Sequence, residues 1–247
     1  MKDLLGYDKI QVTIDRIRYF EPEDGYYLAF SGGKDSITLE YLTNLAGVKY
    51  DSHFNMTTVD PPELLQFIVK YYNGVHWHRP KKNMWQLVLD HHMPPTRLAR
   101  FCCSELKESG GIGRLVLTGI RAEESYARSK RQMVELCRTD PRKRYLHPII
   151  DWTEQEVWQF IKDNKMPYCS LYDEGFKRIG CIGCPMISRR SRQTGFNRYP
   201  NFYRAWMRCF ENLVTTGKTD WHSADEVMTW WGSSLNKEKY NDKGMFT

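Results

Sequence analysis

An apolar strand runs directly into two glycines, a lysine and an aspartate in the stretch YYLAFSGGKDSITLEYL, residues 26–42. Apolar residues then recur at helical spacing from Lys34 until Gly47, which predicts a strand, a tight turn and a helix. Such a turn presents free backbone N–H groups and the positive end of a helix dipole, so it favours phosphate. The spacing excludes the GxxxxGK[ST] loop of ordinary nucleoside triphosphatases and the GxGxxG dinucleotide motif.

Strands and helices alternate along most of the chain. Further apolar strands are expected at about residues 53–59, 75–78 and 114–119, and a capping box of Thr153 and Glu156 opens a later helix. This alternation predicts an α/β fold in which a parallel sheet carries helices on both faces. We expect a nucleotide-binding α/β domain over residues 1–165 and a basic, cysteine-bearing, mostly helical extension over residues 166–247.

The amino-terminal sequence MKDLLGYDKIQVTIDRIRYF has charges every few residues and no apolar signal-peptide core. No uninterrupted apolar run in the chain is long enough to span a bilayer. A cytoplasmic protein without a membrane partner is therefore expected.

Four further motifs follow the SGGKDS loop along the chain. These are VDPPEL (59–64), TGIRAEESYAR (118–128), HPIIDWTEQEVWQFI (147–161) and PYCSLYDEGFKRIGC (167–181). SGGKDS resembles the PP-loop of the N-type ATP pyrophosphatases, and the five motifs together, in this order, resemble the phosphoadenosine phosphosulfate (PAPS) reductase family. The resemblance implies an adenine nucleotide alpha hydrolase-like fold that binds ATP or a related adenylyl nucleotide, such as adenylyl sulfate or PAPS.

The resemblance also implies where the site residues lie. Lys34, Arg121 and Arg128 form the expected catalytic set, and both arginines face the phosphate or sulfate end of the nucleotide. Lys34 is expected as an exposed loop lysine that contributes little to packing. Nucleotide contacts are expected from Ser31, Gly32, Gly33, Lys34, Asp35, Ser36, Asp60 and Gly119. The alternatives are a plain surface turn for SGGKDS, a solvated charged loop for the arginines and a helix cap for Asp60.

Four of the seven cysteines occur in two pairs, in FCCSE (101–105) and RIGCIGCPM (178–186). In a reducing compartment, grouped cysteines more often hold metal than form disulfides. Adjacent cysteines on a helix point about 100° apart, so they chelate one small ion awkwardly but can reach two irons of a cubane. This pattern also resembles the cluster-binding adenylyl-sulfate reductases. We expect Cys102, Cys103, Cys181 and Cys184 to bind a [4Fe–4S] cluster, with a zinc site or a reduced dithiol set as alternatives.

Residues 175–210 contain eight basic residues and no acidic one, whereas the whole chain has a net charge of +6. The rest of the chain is therefore net negative, which indicates a localised anionic partner. Arginines interleave with aromatic residues over Arg189–Arg208, as in grooves that bind DNA or RNA. The alternative is a helix whose aromatic residues face the core and whose arginines are solvated or surround the metal centre.

One departure from the family concerns the nucleophile. The sulfonucleotide reductases of the family carry their nucleophilic cysteine in a carboxyl-terminal ECGLH-type motif. In this chain no cysteine follows Cys209. We therefore expect an enzyme that uses ATP and Mg²⁺ to adenylate an acceptor, releasing pyrophosphate for sulfur transfer to nucleic acid. A sulfur-donor or thiol-donor protein is an expected partner. The alternatives are an adenylyl-sulfate or PAPS reductase that takes its thiol from elsewhere and a non-catalytic nucleotide- or nucleic-acid-binding module.

Overall fold

The computed structural model describes Gly6, residues 8–138 and residues 140–233. The carboxyl-terminal stretch LNKEKYNDKGMFT lies outside these residues. The chain forms two compact units whose segments alternate along the sequence. The first comprises Met1–Asn55, Pro62–His78 and Ser109–Ile179, and the second comprises Met56–Pro61, Arg79–Glu108 and Gly180–Thr247. The division into residues 1–165 and 166–247 stays a prediction.

A six-stranded sheet is the centre of the first unit. Its strands are β1 (Tyr26–Phe30), β2 (Tyr50–Asn55), β3 (His76–His78), β4 (Leu115–Leu117), β5 (Val134–Leu136) and β6 (Arg144–Leu146). The spatial order is β3-β2-β1-β4-β6-β5, and every pairing is parallel except that of β5 with β6. The chain leaves β1 toward β2 on one side and later returns to β4 on the other. In open α/β sheets, ligands bind at such a switch point, beyond the carboxyl ends of the strands.

The helices of the first unit are α1 (Lys9–Tyr19), α2 (Lys34–Ala46), α3 (Pro62–Tyr71), α6 (Tyr126–Ser129) and α7 (Glu154–Asp163). The expected capping box of α7 is present, because the Thr153 hydroxyl accepts from the Glu156 amide and the Glu156 carboxylate accepts from the Thr153 amide. Helix α2 follows β1 directly and ends at Gly47, whose φ of 69° is the left-handed conformation that glycine favours. Its buried Ile37, Leu39 and Leu42 join the core of this unit.

The second unit is helical. Its helices are α4 (Met84–Asp90), α5 (Phe101–Leu106), α8 (Arg189–Arg198), α9 (Pro200–Thr215) and α10 (Ala224–Gly232). Trp206 of α9 and Trp231 of α10 are each 1% exposed, and their ring centroids lie 4.5 Å apart. The indole N–H of Trp231 donates to the Pro95 carbonyl at 2.7 Å, so the buried polar atom is satisfied.

The α/β fold predicted from the sequence is confirmed, with a mostly parallel sheet and a helical carboxyl-terminal region. β2 begins and ends earlier than the predicted strand at residues 53–59, and β5 and β6 were not predicted. Each of these two strands has only three residues and includes a charged one, so the apolar pattern that marks a buried strand is missing. Within the described residues, no helix combines the length and apolar character of a bilayer span.

Candidate functional site

The turn between β1 and α2 depends on Gly32. Its φ is 69°, and a Cβ atom there would lie 2.7 Å from Leu64 Cδ1 and 2.9 Å from Ile68 Cδ1. Both the backbone conformation and the close approach of α3 therefore require glycine. Gly33 is the N-cap of α2 and provides no side-chain cap, which leaves the amides of the first helical turn to other acceptors.

Oxygen atoms of the protein already occupy several loop donors. The Ser31 amide donates to the Ser36 hydroxyl at 3.2 Å, and the Ser36 hydroxyl donates to the Gly33 carbonyl at 2.9 Å. The Lys34 amide donates to the Tyr172 hydroxyl at 2.9 Å. The loop thus has a fixed shape that rests on hydrogen bonds, with its donors grouped at the start of α2.

Lys34 is buried, with only 5% of its surface exposed, so the expectation of an exposed loop lysine is wrong. It is the first residue of α2 rather than part of the preceding turn. Its ammonium lies 3.5 Å from a carboxylate oxygen of Asp35 and 3.5 Å from one of Glu154. Burial of a charged group is tolerated when it is paired in this way.

Arg121 follows β4 and is also buried, at 2% exposure. Its Nε donates to Asp35 Oδ1 at 2.6 Å, and its Nη1 donates to Glu123 Oε2 at 2.9 Å. Burial alone would lower the pKa of Arg121, but the Asp35 carboxylate raises it above its usual value. Gly119 permits this approach, because a Cβ atom there would lie 2.9 Å from the Asp35 carbonyl.

Arg128 on α6 forms an ion pair with Glu124, four positions before it in the chain. Each of the three cations expected to face the nucleotide is therefore paired with at least one carboxylate. The three are Lys34, Arg121 and Arg128, and their partners are Asp35, Glu123, Glu124 and Glu154. The structure brings Lys34 and Arg121 together through their shared partner Asp35. Their roles toward a nucleotide stay predictions.

Asp60 lies in the second unit and is 6% exposed. Its carboxylate accepts from the amide and the hydroxyl of Thr57, at 2.6 and 2.7 Å. The same Thr57 hydroxyl accepts from the Cys181 thiol at 3.4 Å. Asp60 is thus connected to the cysteine segment, and its contact with a nucleotide stays a prediction.

The two cysteine pairs lie on different local structures of the second unit. Cys102 and Cys103 are the second and third residues of α5, whereas Cys181 and Cys184 close a turn in which the Cys184 amide donates to the Cys181 carbonyl at 3.2 Å. This turn is held by Trp206, whose indole N–H donates to the Ile182 carbonyl at 3.2 Å. A Cβ atom on Gly183 would lie 2.7 Å from that indole nitrogen, so glycine is required there.

The four thiols influence one another electrostatically. The hydrogen bond with Cys103, burial and the charges of Cys103, Cys181 and Cys184 raise the pKa of Cys102. The hydrogen bond from Cys102, together with nearby Arg100 and Lys107, lowers the pKa of Cys103. Burial raises the pKa of Cys181, and the positive charge of Lys107 opposes this rise. In the part of the chain that the structure describes, no three histidine, cysteine or acidic side chains are arranged to hold a metal ion. The four-cysteine metal centre stays a prediction.

The basic segment separates into buried and exposed residues. Arg192 is 9% exposed, lies 4.7 Å above the ring of Trp231 and donates to the Trp231 carbonyl at 2.9 Å. Phe196, Tyr199 and Trp206 are buried as well, so these aromatic rings are core residues. The exposed arginines are Arg189, Arg190, Arg198, Arg204 and Arg208.

Four residues of the site were not predicted from the sequence: Glu154, Glu123, Tyr172 and Lys107. Glu154 and Glu123 read as ordinary first-turn acidic residues, and nothing in the sequence indicates that they pair with Lys34 and Arg121. Tyr172 lies within the motif PYCSLYDEGFKRIGC, which was the one available signal. Its partner Lys34 is 138 positions away, so the contact could not be read from spacing.

Comparison with known proteins identifies the family of this chain. Residues 25–187, more than half of the chain, match the phosphoadenosine phosphosulfate reductase domain. The chain belongs to this family. The match includes the loop, both arginines and all four paired cysteines. Family members named as enzymes include adenosine 5'-phosphosulfate reductases, among them one from Oceanobacillus iheyensis that is 41% identical over 70 residues, 28% of each chain.

A longer alignment is found with protein MJ0066 of Methanocaldococcus jannaschii, which is 27% identical over 214 residues, 81% of this chain and 44% of that one. The chain thus spans less than half the length of this relative. Among solved structures, the PAPS reductase of Candida auris is similar with a TM-score of 0.52 and 19% identity, covering 73% of this chain and 91% of that one. At 19% identity, this likeness shows that the two chains share a fold.

Proposed function

We propose that this chain binds ATP at the PP-loop and uses it to adenylate an acceptor, releasing pyrophosphate in a reaction that serves sulfur transfer to a nucleic acid. The observation that carries the proposal is the charge balance of the site. Lys34, Arg121 and Arg128 are each paired with a carboxylate, and four carboxylates take part in these pairs.

This balance favours a nucleotide that arrives with a metal ion. A metal-free anion such as adenylyl sulfate would approach cations that are already neutralised and would also meet the remaining carboxylate charge. Mg²⁺ bound to ATP offsets the charge of both the phosphates and the carboxylates. The site therefore suits Mg²⁺-ATP better than a sulfonucleotide.

The residues present fit such an ion. Mg²⁺ is usually held by one or two carboxylates together with substrate phosphates, and it needs no complete protein cage. Asp35 and Glu154 are the partly exposed carboxylates next to Lys34 and would hold it. When bound, the ion would stabilise negative charge on the phosphates.

The side chains of the loop would then orient the leaving group. The Lys34 ammonium would bind the β- and γ-phosphates at the positive end of the α2 dipole, and Asp35 and Glu123 hold Arg121 in place. The acceptor oxygen forms a bond to the α-phosphorus as the bond to the β-phosphate oxygen breaks. Pyrophosphate leaves, and no covalent protein nucleophile is required.

The cysteines fit an iron–sulfur cluster by their donor chemistry. Four thiols lie within electrostatic reach of one another, and the positive charges of Arg100 and Lys107 help to lower the pKa of Cys103. Cys102, Cys103, Cys181 and Cys184 would hold the cluster. Its chemistry would be the binding of sulfur or the transfer of electrons.

The exposed arginines of α8 and α9 would bind the nucleic-acid acceptor. Arg189 and Arg190 open α8 beside its N-terminus, where the helix dipole also favours phosphate. Because Phe196, Tyr199 and Trp206 are buried, we propose binding mainly through the phosphate backbone rather than by base stacking.

Reduction of adenylyl sulfate is the second candidate. It is favoured by the similarity to adenosine 5'-phosphosulfate reductases, which reaches 41% identity over 70 residues. The two candidates differ in their need for Mg²⁺.

Isothermal titration calorimetry with ATP, adenylyl sulfate and PAPS, each with and without Mg²⁺, tests the proposal. We expect ATP to bind only with Mg²⁺ and to bind more tightly than either sulfonucleotide. Tighter, metal-independent binding of adenylyl sulfate would support the reductase instead.

A further inference from the structure

The hydroxyl of Tyr172 is the hydrogen-bond partner of the first helical amide of the PP-loop. The Lys34 amide donates to it at 2.9 Å, and a Cβ atom on Gly33 would lie 3.5 Å from the same oxygen. The phenol oxygen therefore lies against the loop backbone, where the amides at the start of a helix favour an anion.

The ring of Tyr172 is fixed by its neighbours. Its centroid lies 4.9 Å from that of Trp158 at an interplanar angle of 88°, and 6.4 Å from that of Tyr168. Tyr172 also ends a short 3-10 helix, Ser170–Tyr172, whose Leu171 is buried. Moving the hydroxyl away from the Lys34 amide would disturb both ring contacts. These contacts therefore hold the phenol oxygen beside the loop.

The hydroxyl hydrogen remains available for a ligand. The oxygen accepts from the Lys34 amide, and among the residues described here no acceptor is seen for the O–H group itself. Burial raises the pKa of Tyr172, so the phenol stays protonated and can donate at neutral pH. A phosphate oxygen over the loop would complete the chain N–H···O–H···O–P, in which each hydrogen bond strengthens the next.

We propose that the Tyr172 hydroxyl is a phosphate ligand of the site, a side-chain donor held in place by the Lys34 amide. The inference rests on the proposed function, since it requires that the loop binds a nucleotide phosphate. It adds to that function a residue from a segment more than a hundred positions beyond the loop.

Removal of the Tyr172 hydroxyl is expected to weaken the binding of phosphate. In Tyr172→Phe, the ring can keep its contacts with Trp158 and Tyr168, whereas the O–H donor is lost. The bound phosphate therefore loses the hydrogen bond that the Tyr172 hydroxyl supplies. Tyr168→Phe is the matched control, because the Tyr168 hydroxyl donates to Asp173 at 3.0 Å rather than to the loop.

The experiment is calorimetric titration of wild-type protein and both variants with Mg²⁺-ATP, Mg²⁺-pyrophosphate and adenosine. We expect Tyr172→Phe to weaken ATP and pyrophosphate binding about tenfold or more, the effect of one hydrogen bond to a charged group. Adenosine binding should not change, because adenosine has no phosphate. Tyr168→Phe should bind all three ligands like the wild type, and the melting temperatures of the two variants should be similar.

The outcomes separate the inference from the function on which it rests. If the wild type binds ATP and Tyr172→Phe binds ATP and pyrophosphate equally well or more tightly, the phosphate-ligand role is wrong and the proposed function stands. If Tyr172→Phe weakens adenosine as much as pyrophosphate, the residue has a general structural role and the inference also fails. If the wild type binds neither ATP nor pyrophosphate, both the inference and the nucleotide assignment are overturned.

Discussion

Nε of Arg121 lies 2.6 Å from Oδ1 of Asp35, although the two residues are 86 positions apart in the chain. The other carboxylate oxygen of Asp35 lies 3.5 Å from the Lys34 ammonium. One carboxylate in the first turn of α2 therefore joins the cation that follows β1 to the cation that follows β4. This bridge lies at the point where the strand order reverses, which is where α/β sheets bind ligands.

Replacing Asp35 tests the charge balance of the site. In Asp35→Asn, Lys34 and Arg121 lose a shared negative partner, so we expect metal-free pyrophosphate to bind about tenfold more tightly and ATP binding to depend less on Mg²⁺. Calorimetry with and without Mg²⁺ measures both effects. Asp151→Asn is the control, since Asp151 pairs with Arg16 instead. Unchanged pyrophosphate affinity in Asp35→Asn would show that the bridge does not limit anion binding.

The exposed arginines at the start of α8 are expected to contact nucleic-acid phosphates. Replacing both Arg189 and Arg190 with Ala should weaken binding to DNA or RNA with little dependence on sequence. The slope of log affinity against log salt should fall by about 0.7 to 0.9 for each phosphate that the variant no longer neutralises. Fluorescence anisotropy over a salt series measures this slope.

Arg142→Ala, which removes one positive charge where the α8 variant removes two, is the surface control for these arginines, because Arg142 is exposed and pairs with Asp140. Arg192 is left intact, since it packs on Trp231 and its removal would disturb the core of the second unit. Equally weakened binding in Arg142→Ala would point to net charge rather than to α8.

For the cysteine segments, we expect protein purified without oxygen to be brown and to contain iron and inorganic sulfide. Cys181→Ser should lose both, because a hydroxyl is a poor replacement for a thiolate on iron. Metal analysis and visible absorption measure the outcome. Cys209→Ser is the control, since Cys209 is buried and its thiol donates to the Trp85 carbonyl at 3.8 Å. A colourless protein with one zinc ion per chain would identify the site as structural zinc.

The buried His147 makes stability depend on pH. It is 0% exposed, its Nδ1 lies 2.6 Å from the Thr118 hydroxyl, and burial lowers its pKa to about 4. The unfolded chain takes up the proton first, near pH 6.5, so stability is complete above that pH and falls toward pH 4. The total loss of stability at lower pH is about 3 kcal/mol.

His147→Asn should flatten this dependence, because an amide can still bond to Thr118 and does not titrate. Urea unfolding at several pH values between about 4 and 7 measures the difference from the wild type. Glu135→Gln separates the contribution of the carboxylate 3.7 Å from His147 Nε2. If the free energy of unfolding changes with pH in the same way for wild type and His147→Asn, the pKa of His147 is not lowered in the folded protein.

The sequence was sufficient for the parts of the fold that follow local rules. The predicted strand β1 is confirmed at Tyr26–Phe30, and its sequence signal is a short apolar run that ends at a glycine pair. The predicted capping box of α7 is also confirmed, and its two residues are only three positions apart. These features depend on neighbours in the chain.

The site depends on distant pairs and could be predicted only in part. The loop and both arginines were recognisable as motif residues, but the burial of Lys34 follows from Asp35 together with Glu154, which is 120 positions further along the chain. The contact of Tyr172 with the loop is equally remote in sequence. Periodicity and turn chemistry carry no information about such pairs, because they describe spacing within one element.

The most direct test of the central claim is product analysis with two substrates in parallel. The protein is incubated with Mg²⁺-ATP and total RNA or DNA, and separately with adenylyl sulfate and a dithiol reductant. Pyrophosphate is measured in the first reaction and sulfite in the second. We expect pyrophosphate release that requires both Mg²⁺ and nucleic acid and is abolished in Lys34→Ala, with no sulfite above the level seen without protein. Sulfite formation without pyrophosphate release would contradict the account and identify a sulfonucleotide reductase.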